Sequence, residues 1–116
     1  MTPSQISVLF TIVRLGPLGL SEVAEIEGLN PTMLSRITAG LCEQSLIERI
    51  QDPNDKRAAM VKPTSGGRRM RERIHRERTR TLSEHLDALT DEDRRALLAA
   101  LPVLEELAAQ LKGRRA

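Results

Sequence analysis
Aromatic side chains are almost missing from this chain of 116 residues: Phe10 stands alone, with no Trp and no Tyr. Single-stranded nucleic acid and RNA loops are held largely by stacking bases on aromatic rings, so that mode of binding has little to work with. Cysteine is equally scarce. With Cys42 alone, no internal disulfide can form, which fits a reducing cytoplasm. No apolar run approaches the roughly 18 residues that span a membrane, and the opening MTPSQISVLF lacks a basic segment ahead of an apolar core, as a signal peptide would need. A soluble, cytoplasmic protein without a membrane partner is the expectation. Also lacking are a grouped nucleophile, base and orienter, a Gly-rich phosphate loop and paired catalytic carboxylates. His75 and His85 have no Cys or carboxylate at metal-ligand spacing and read as solvated. Neither an enzyme nor a metal or cofactor site is expected.

The chain does carry 40% apolar and 29% charged residues, enough of the former for one modest core and one domain. Its net charge of +2 hides a segregation. Residues 1–46 hold 2 basic and 4 acidic side chains, residues 47–80 hold 11 and 5, and residues 81–116 hold 5 and 7. The positive charge therefore sits in the middle third, as an anion-binding surface requires.

Ile6, Leu9, Phe10 and Val13 follow the i, i+3, i+4, i+7 period of a helix with one buried face, and Gly16 and Pro17 end it. Ser21 reads as the N-cap of a short second helix, EVAEIE, closed by Gly28. In LNPTMLSRITAGLCEQSLI, Asn30 can cap and Pro31 fits the first helical position, so a third helix starts there, with Leu34, Ile37 and Leu41 as its apolar stripe. Two short helices across a tight turn match a helix-turn-helix. LIERIQ and AAMVKP then read as two strands around the turn DPNDKR. From TSGGRRM onward a long charged helix carries a sparse stripe of Met70, Ile74, Leu82, Leu86 and Leu89. A last helix, capped by Thr90, carries a wide apolar face. Those two helices have more apolar surface than a small domain covers, so a homodimer is expected, joined through Leu97, Leu101, Leu104, Leu107 and Leu111.

The segment SEVAEIEGLNPTMLSRITAGLCEQSLIERI, followed by DKRAAMVKPTSGG with its Asp-x-Arg and Thr-x-x-Gly spacing, resembles the MarR family of winged helix-turn-helix transcriptional regulators. The implied fold is mainly α with a small β-hairpin: a winged helix-turn-helix DNA-binding region over residues 1–66 and two C-terminal dimerisation helices over residues 67–116, in one continuous domain. Family members usually begin with a further helix, whereas this sequence starts almost directly at the next one. Ser45 stands where the family often has Gly at a helix end, a position that favours a left-handed backbone. Pro63 replaces a usual Leu and removes a backbone donor from the second strand.

The resemblance implies a probing role for the hairpin tip. Arg57, beside Lys56, has the slim, permanent charge suited to a narrow minor groove, and Asp55 would orient it by a salt bridge. The recognition helix, residues 31–45, turns Thr32, Met33, Ser35, Arg36 and Thr38 outward toward base edges in the major groove, Arg36 being the candidate for guanine. Met33 reads equally well as a partly buried side chain. Pro31 and Ser21, at helix starts, suit phosphate contacts, as do Arg68 and Arg69 beside the wing. Arg71, Arg73, Arg76, Arg78 and Arg80 read as a solvated, ion-paired face, and Cys42 as inert core. The implied function is that of a sequence-specific regulator, a repressor in most of the family. Its partners would be a palindromic double-stranded operator, a second copy of the chain, and a small-molecule effector between the winged region and the dimer helices. The alternative is a truncated or repurposed winged-helix interaction module without autonomous DNA binding.

Overall fold
A computed structural model describes residues 1–55 and 58–113. Its elements run α1 (Pro3–Leu15), β1 (Leu18–Gly19), α2 (Leu20–Glu27), α3 (Pro31–Glu43), β2 (Ile47–Gln51), β3 (Ala59–Pro63), α4 (Ser65–Asp87) and α5 (Asp91–Gly113). Helix starts follow local chemistry. Thr2 and Gln5 form a reciprocal box at α1, the threonine hydroxyl accepting from the Gln5 N–H at 3.1 Å and the glutamine carbonyl from the Thr2 N–H at 3.0 Å. Thr64 and Thr90 cap α4 and α5 by accepting from the Gly67 N–H at 3.0 Å and the Asp93 N–H at 3.1 Å.

The core gathers Val8, Leu9 and Ile12 of α1, Val23 of α2, Leu34, Ile37 and Leu41 of α3, and Leu46, Ile47 and Val61 around the sheet. On α1 the buried face is centred on Val8, Leu9 and Ile12; Ile6, Phe10 and Val13 flank it, half-buried. The shift arises because α1 is surrounded, packing against α2, α3, α4 and β3. Thr11, a polar residue of α1 inside the core, donates to Glu27 Oε2 at 2.9 Å, while Ser7 donates to Glu27 Oε1. Buried polar groups survive when so paired, and this carboxylate ties the end of α2 to the middle of α1.

The expected two-stranded hairpin is part of a three-stranded antiparallel sheet in the order β1-β3-β2. Leu18 pairs with Val61 and Gly19 with Met60, a strand too short to leave a periodic signature. Pro63 pairs with Ile47 beyond the reach of β1, so its missing donor faces no third strand, and its ring packs beside Gly16. Because β1 feeds straight into α2, Gly19 is the cap residue and Ser21 lies inside the first turn, which corrects the expected N-cap at Ser21. There the side chain of Glu22 reaches back to accept from the Gly19 N–H at 3.3 Å.

The exit from α3 is a Schellman motif: Leu46 N–H donates to the Leu41 carbonyl at 3.0 Å and Ser45 N–H to the Cys42 carbonyl at 2.9 Å, with Leu41 and Leu46 both buried. Ser45 holds the left-handed residue at φ 59°, and α3 ends at Glu43 rather than running to 45. A non-glycine residue in that region carries strain. Ser45→Gly should therefore raise stability by about 0.5 to 1 kcal/mol, read as a higher urea midpoint at unchanged slope. A lowered midpoint would mean the serine is stabilised by something other than its backbone.

Candidate nucleic-acid interface
The turn between α2 and α3 is set by Gly28, at φ 65°, whose N–H bonds back to Glu25 at 3.3 Å. Asn30 then caps α3, its Oδ1 accepting from the Met33 N–H at 2.8 Å, with Pro31 in the first turn. Leu34, Ile37, Thr38 and Leu41 bury one face of α3. By helical geometry the opposite face is left outward, and Pro31, Thr32, Met33, Ser35, Arg36 and Ala39 are all exposed there.

Thr38 is a correction. It is only 1% exposed and donates to the Leu34 carbonyl at 3.0 Å, so its hydroxyl is satisfied within the helix and the side chain belongs to the core. Met33, at 49% exposure, is on the surface. Arg36 pairs with no carboxylate among the described residues. It lines a shallow groove with Met33, Thr32 and Asn30 of the α3 start and with Thr2 and Ser4 of the α1 start. Thr2 and Ser4 were missed in the sequence. The Thr-x-x-Gln of TPSQ marks a helix start, but nothing local tells that this start faces α3 across a groove.

In the wing, β2 and β3 pair in register from Ile47↔Pro63 to Gln51↔Ala59, and Lys62 bridges to Glu48 across the strands at 3.0 Å. The tip is closed by local bonds. Asp52 Oδ1 accepts from the Asn54 N–H at 2.8 Å, and the Asp52 N–H donates to the Ala58 carbonyl at 3.2 Å. Asp55 is exposed at this tip. Lys56 and Arg57, the two cations assigned to the minor groove, lie outside the described residues. Arg68 and Arg69 are exposed in the first turn and a half of α4, next to the end of β3. Ser21 is exposed on α2.

Farther along α4, two arginines take part in packing. The guanidiniums of Arg71 and Arg78 lie 5.1 and 5.7 Å from the centroid of the Phe10 ring, fixing α4 against α1 by cation–π contact. Cys42 is half-buried beside the core. No grouping of His, Cys, Asp or Glu able to hold a metal occurs among the described residues, and none of their helices is long and apolar enough to cross a membrane. Along α5, Leu97, Leu101, Leu104, Leu107 and Leu111 are between 39% and 53% exposed, and Leu98 and Val103 more so.

The profile of the MarR family matches residues 1–59. Among named relatives, the HTH-type transcriptional repressor MdtR of Bacillus subtilis is 28% identical over 108 residues, covering 93% of this chain and 68% of its own. The HTH-type transcriptional regulator MT0903.1 of Mycobacterium tuberculosis is 27% identical over 101 residues, 87% of this chain and 71% of its own. Among solved structures, a mutant MarR from E. coli superposes with a TM-score of 0.80 at 27% identity, over 90% of this chain and 77% of that one. FabT of Streptococcus pneumoniae, solved in complex with DNA, shares the fold at a TM-score of 0.81 and 16% identity, over 96% of this chain and 78% of that one.

Proposed function
Because the chain belongs to the MarR family and is a helix-turn-helix transcriptional regulator rather than an enzyme, we propose that it is a sequence-specific repressor acting as a homodimer. In this reading α3 lies in the major groove of double-stranded DNA and the wing runs beside the minor groove. The observation that carries it is the outward face of α3. Thr32, Met33, Ser35 and Arg36 are exposed together at the start of the helix, they contribute nothing to the buried core, and they include a cation free of any described carboxylate. Short side chains around one long guanidinium suit close approach to base edges, with Arg36 able to span the O6 and N7 of a guanine.

Phosphate contacts would come from Pro31 at the α3 start and from Ser21, Arg68 and Arg69, while the tip cation Arg57, beside Lys56, would enter the minor groove, oriented by Asp55. Repression is supported by the likeness to MdtR, a repressor by name. The dimer is supported by the exposed leucines of α5. Two copies of α3 about one helical turn of DNA apart, roughly 34 Å, would read a palindromic operator.

Arg36→Ala tests the assignment of the recognition helix. Operator affinity should fall by about 1 to 3 kcal/mol, and discrimination should relax at a single position in each half-site. Equal losses on every sequence would make Arg36 a phosphate contact, and unchanged binding would remove α3 from the groove.

A further inference from the structure
The face of α4 turned away from α1 carries an ordered charge pattern. Gly67, Met70, Ile74 and Arg78 fall on the inner side, where Gly67 is buried and Met70 meets the core. At roughly 100° per residue, Arg69, Arg73, Arg76 and Arg80 fall in one row on the opposite side, and Glu84 and Asp87 continue that row toward the end of the helix. All six are exposed. The row is therefore basic at one end and acidic at the other.

These charges are barely used within the chain. Arg76 reaches Glu72 only at 3.8 Å, with its side chain 76% exposed, and Arg73 turns to the Met70 sulfur at 3.1 Å. Arg80 and Glu84 stand four residues apart yet form no ion pair among the described residues, in keeping with the weaker Arg-before-Glu order. A groove lined by Arg73, Arg76, Glu77 and Arg80 opens on this side. Between the two ends, Thr79 and Ser83 are small and uncharged, so another helix could approach closely there.

A row that reads basic then acidic is complementary to itself when reversed. Resting on the homodimer reading, we infer that this face of α4 meets the same face of a second copy, antiparallel and centred level with Leu82. Arg80 then meets Glu84 of the partner subunit, and Arg76 meets Asp87 of the partner subunit. The two-fold axis repeats both pairs, as a self-complementary interface requires. The leucines of α5 supply the apolar part of such a dimer, and the α4 row fixes its register and makes association salt-dependent.

The test uses two full-length variants, Arg76→Glu with Arg80→Glu, and Glu84→Arg with Asp87→Arg. The first makes the paired stretch of the row, residues 76–87, wholly acidic, and the second makes the whole row basic. Each alone should dimerise at least tenfold more weakly than the wild type by sedimentation equilibrium while keeping its helical circular dichroism. An equimolar mixture should form a heterodimer at least as tight as the wild-type dimer, which misfolded chains could not do. If the wild type and both variants dimerise equally and mix at random, the inference falls and the dimer reading stands; a wild type that stays monomeric removes both. If the acidic variant keeps its dimer but loses affinity for DNA, the row faces phosphates and the inference is overturned.

Discussion

Gly67→Ala is expected to cost about 3 kcal/mol or more, lowering Tm by more than about 10 °C. A Cβ at residue 67 would lie 1.9 Å from the backbone carbonyl oxygen of Leu46 and 3.0 Å from its carbon, so no side-chain rotation can relieve the clash. That oxygen already accepts from the Thr64 N–H at 3.1 Å, and the Thr64 hydroxyl donates to the neighbouring Ser45 carbonyl at 2.6 Å while capping α4. The end of α3, the start of β2 and the first turn of α4 are thus joined at one point. Moving α4 outward by an ångström loosens all three, and with them the angle between wing and recognition helix. Gly66→Ala is the control. Its Cβ would meet nothing nearer than 3.5 Å, so that variant should melt at or above the wild-type temperature, helped by the better helix propensity of alanine. Thermal melts followed by far-ultraviolet circular dichroism would decide; equal melting of the two alanine variants would show that α4 does not pack on Leu46 as described.

Leu107→Asp should have the second largest effect, on association rather than folding. Leu107 is 50% exposed on a helix that contributes nothing to the buried core, so a charge there costs the monomer little. In a dimer sealed by the α5 leucines the same carboxylate would have to be desolvated without a partner. The dimer should weaken about a hundredfold, equivalent to ~2.7 kcal/mol, with the monomer melt hardly changed. Light scattering behind a sizing column at low micromolar concentration measures it. A dimer that survives the substitution would place the interface on another surface.

Where a structural element is announced by its own residues, the sequence was enough. Asn30 and Pro31 mark the start of α3, Thr90 that of α5, and Gly28 the left-handed turn between α2 and α3; all three took their expected places. The same holds for the unusual demand on Ser45. The features that escaped depend on partners far along the chain. Strand β1 exists only because Leu18 and Gly19 meet Val61 and Met60. Glu27 is buried because hydroxyls on α1, 16 and 20 residues earlier, meet both of its oxygens. Thr38 misled for a related reason. Its residue type suits a DNA-facing surface, but a threonine whose hydroxyl bonds to its own helix can be buried as readily as valine. On the interface itself, the exposed set at the α3 start was legible from helical period alone, whereas the contribution of Thr2 and Ser4 to the same groove required the packing of α1 against α3.

If the chain works as proposed, two copies of α3 read a specific duplex. The most direct measurement is fluorescence anisotropy of labelled duplex DNA from the region upstream of the protein's own gene, titrated with the full chain beside a shuffled duplex of equal length. Repeating it at about 50 and 200 mM salt tests for phosphate contacts, whose neutralisation should cost roughly a thousandfold or more in affinity over that range. A dimeric operator-binding regulator binds tightly, with a clear preference for the native sequence and that steep loss with salt. Weak binding, equal on both duplexes and indifferent to salt, would contradict that reading.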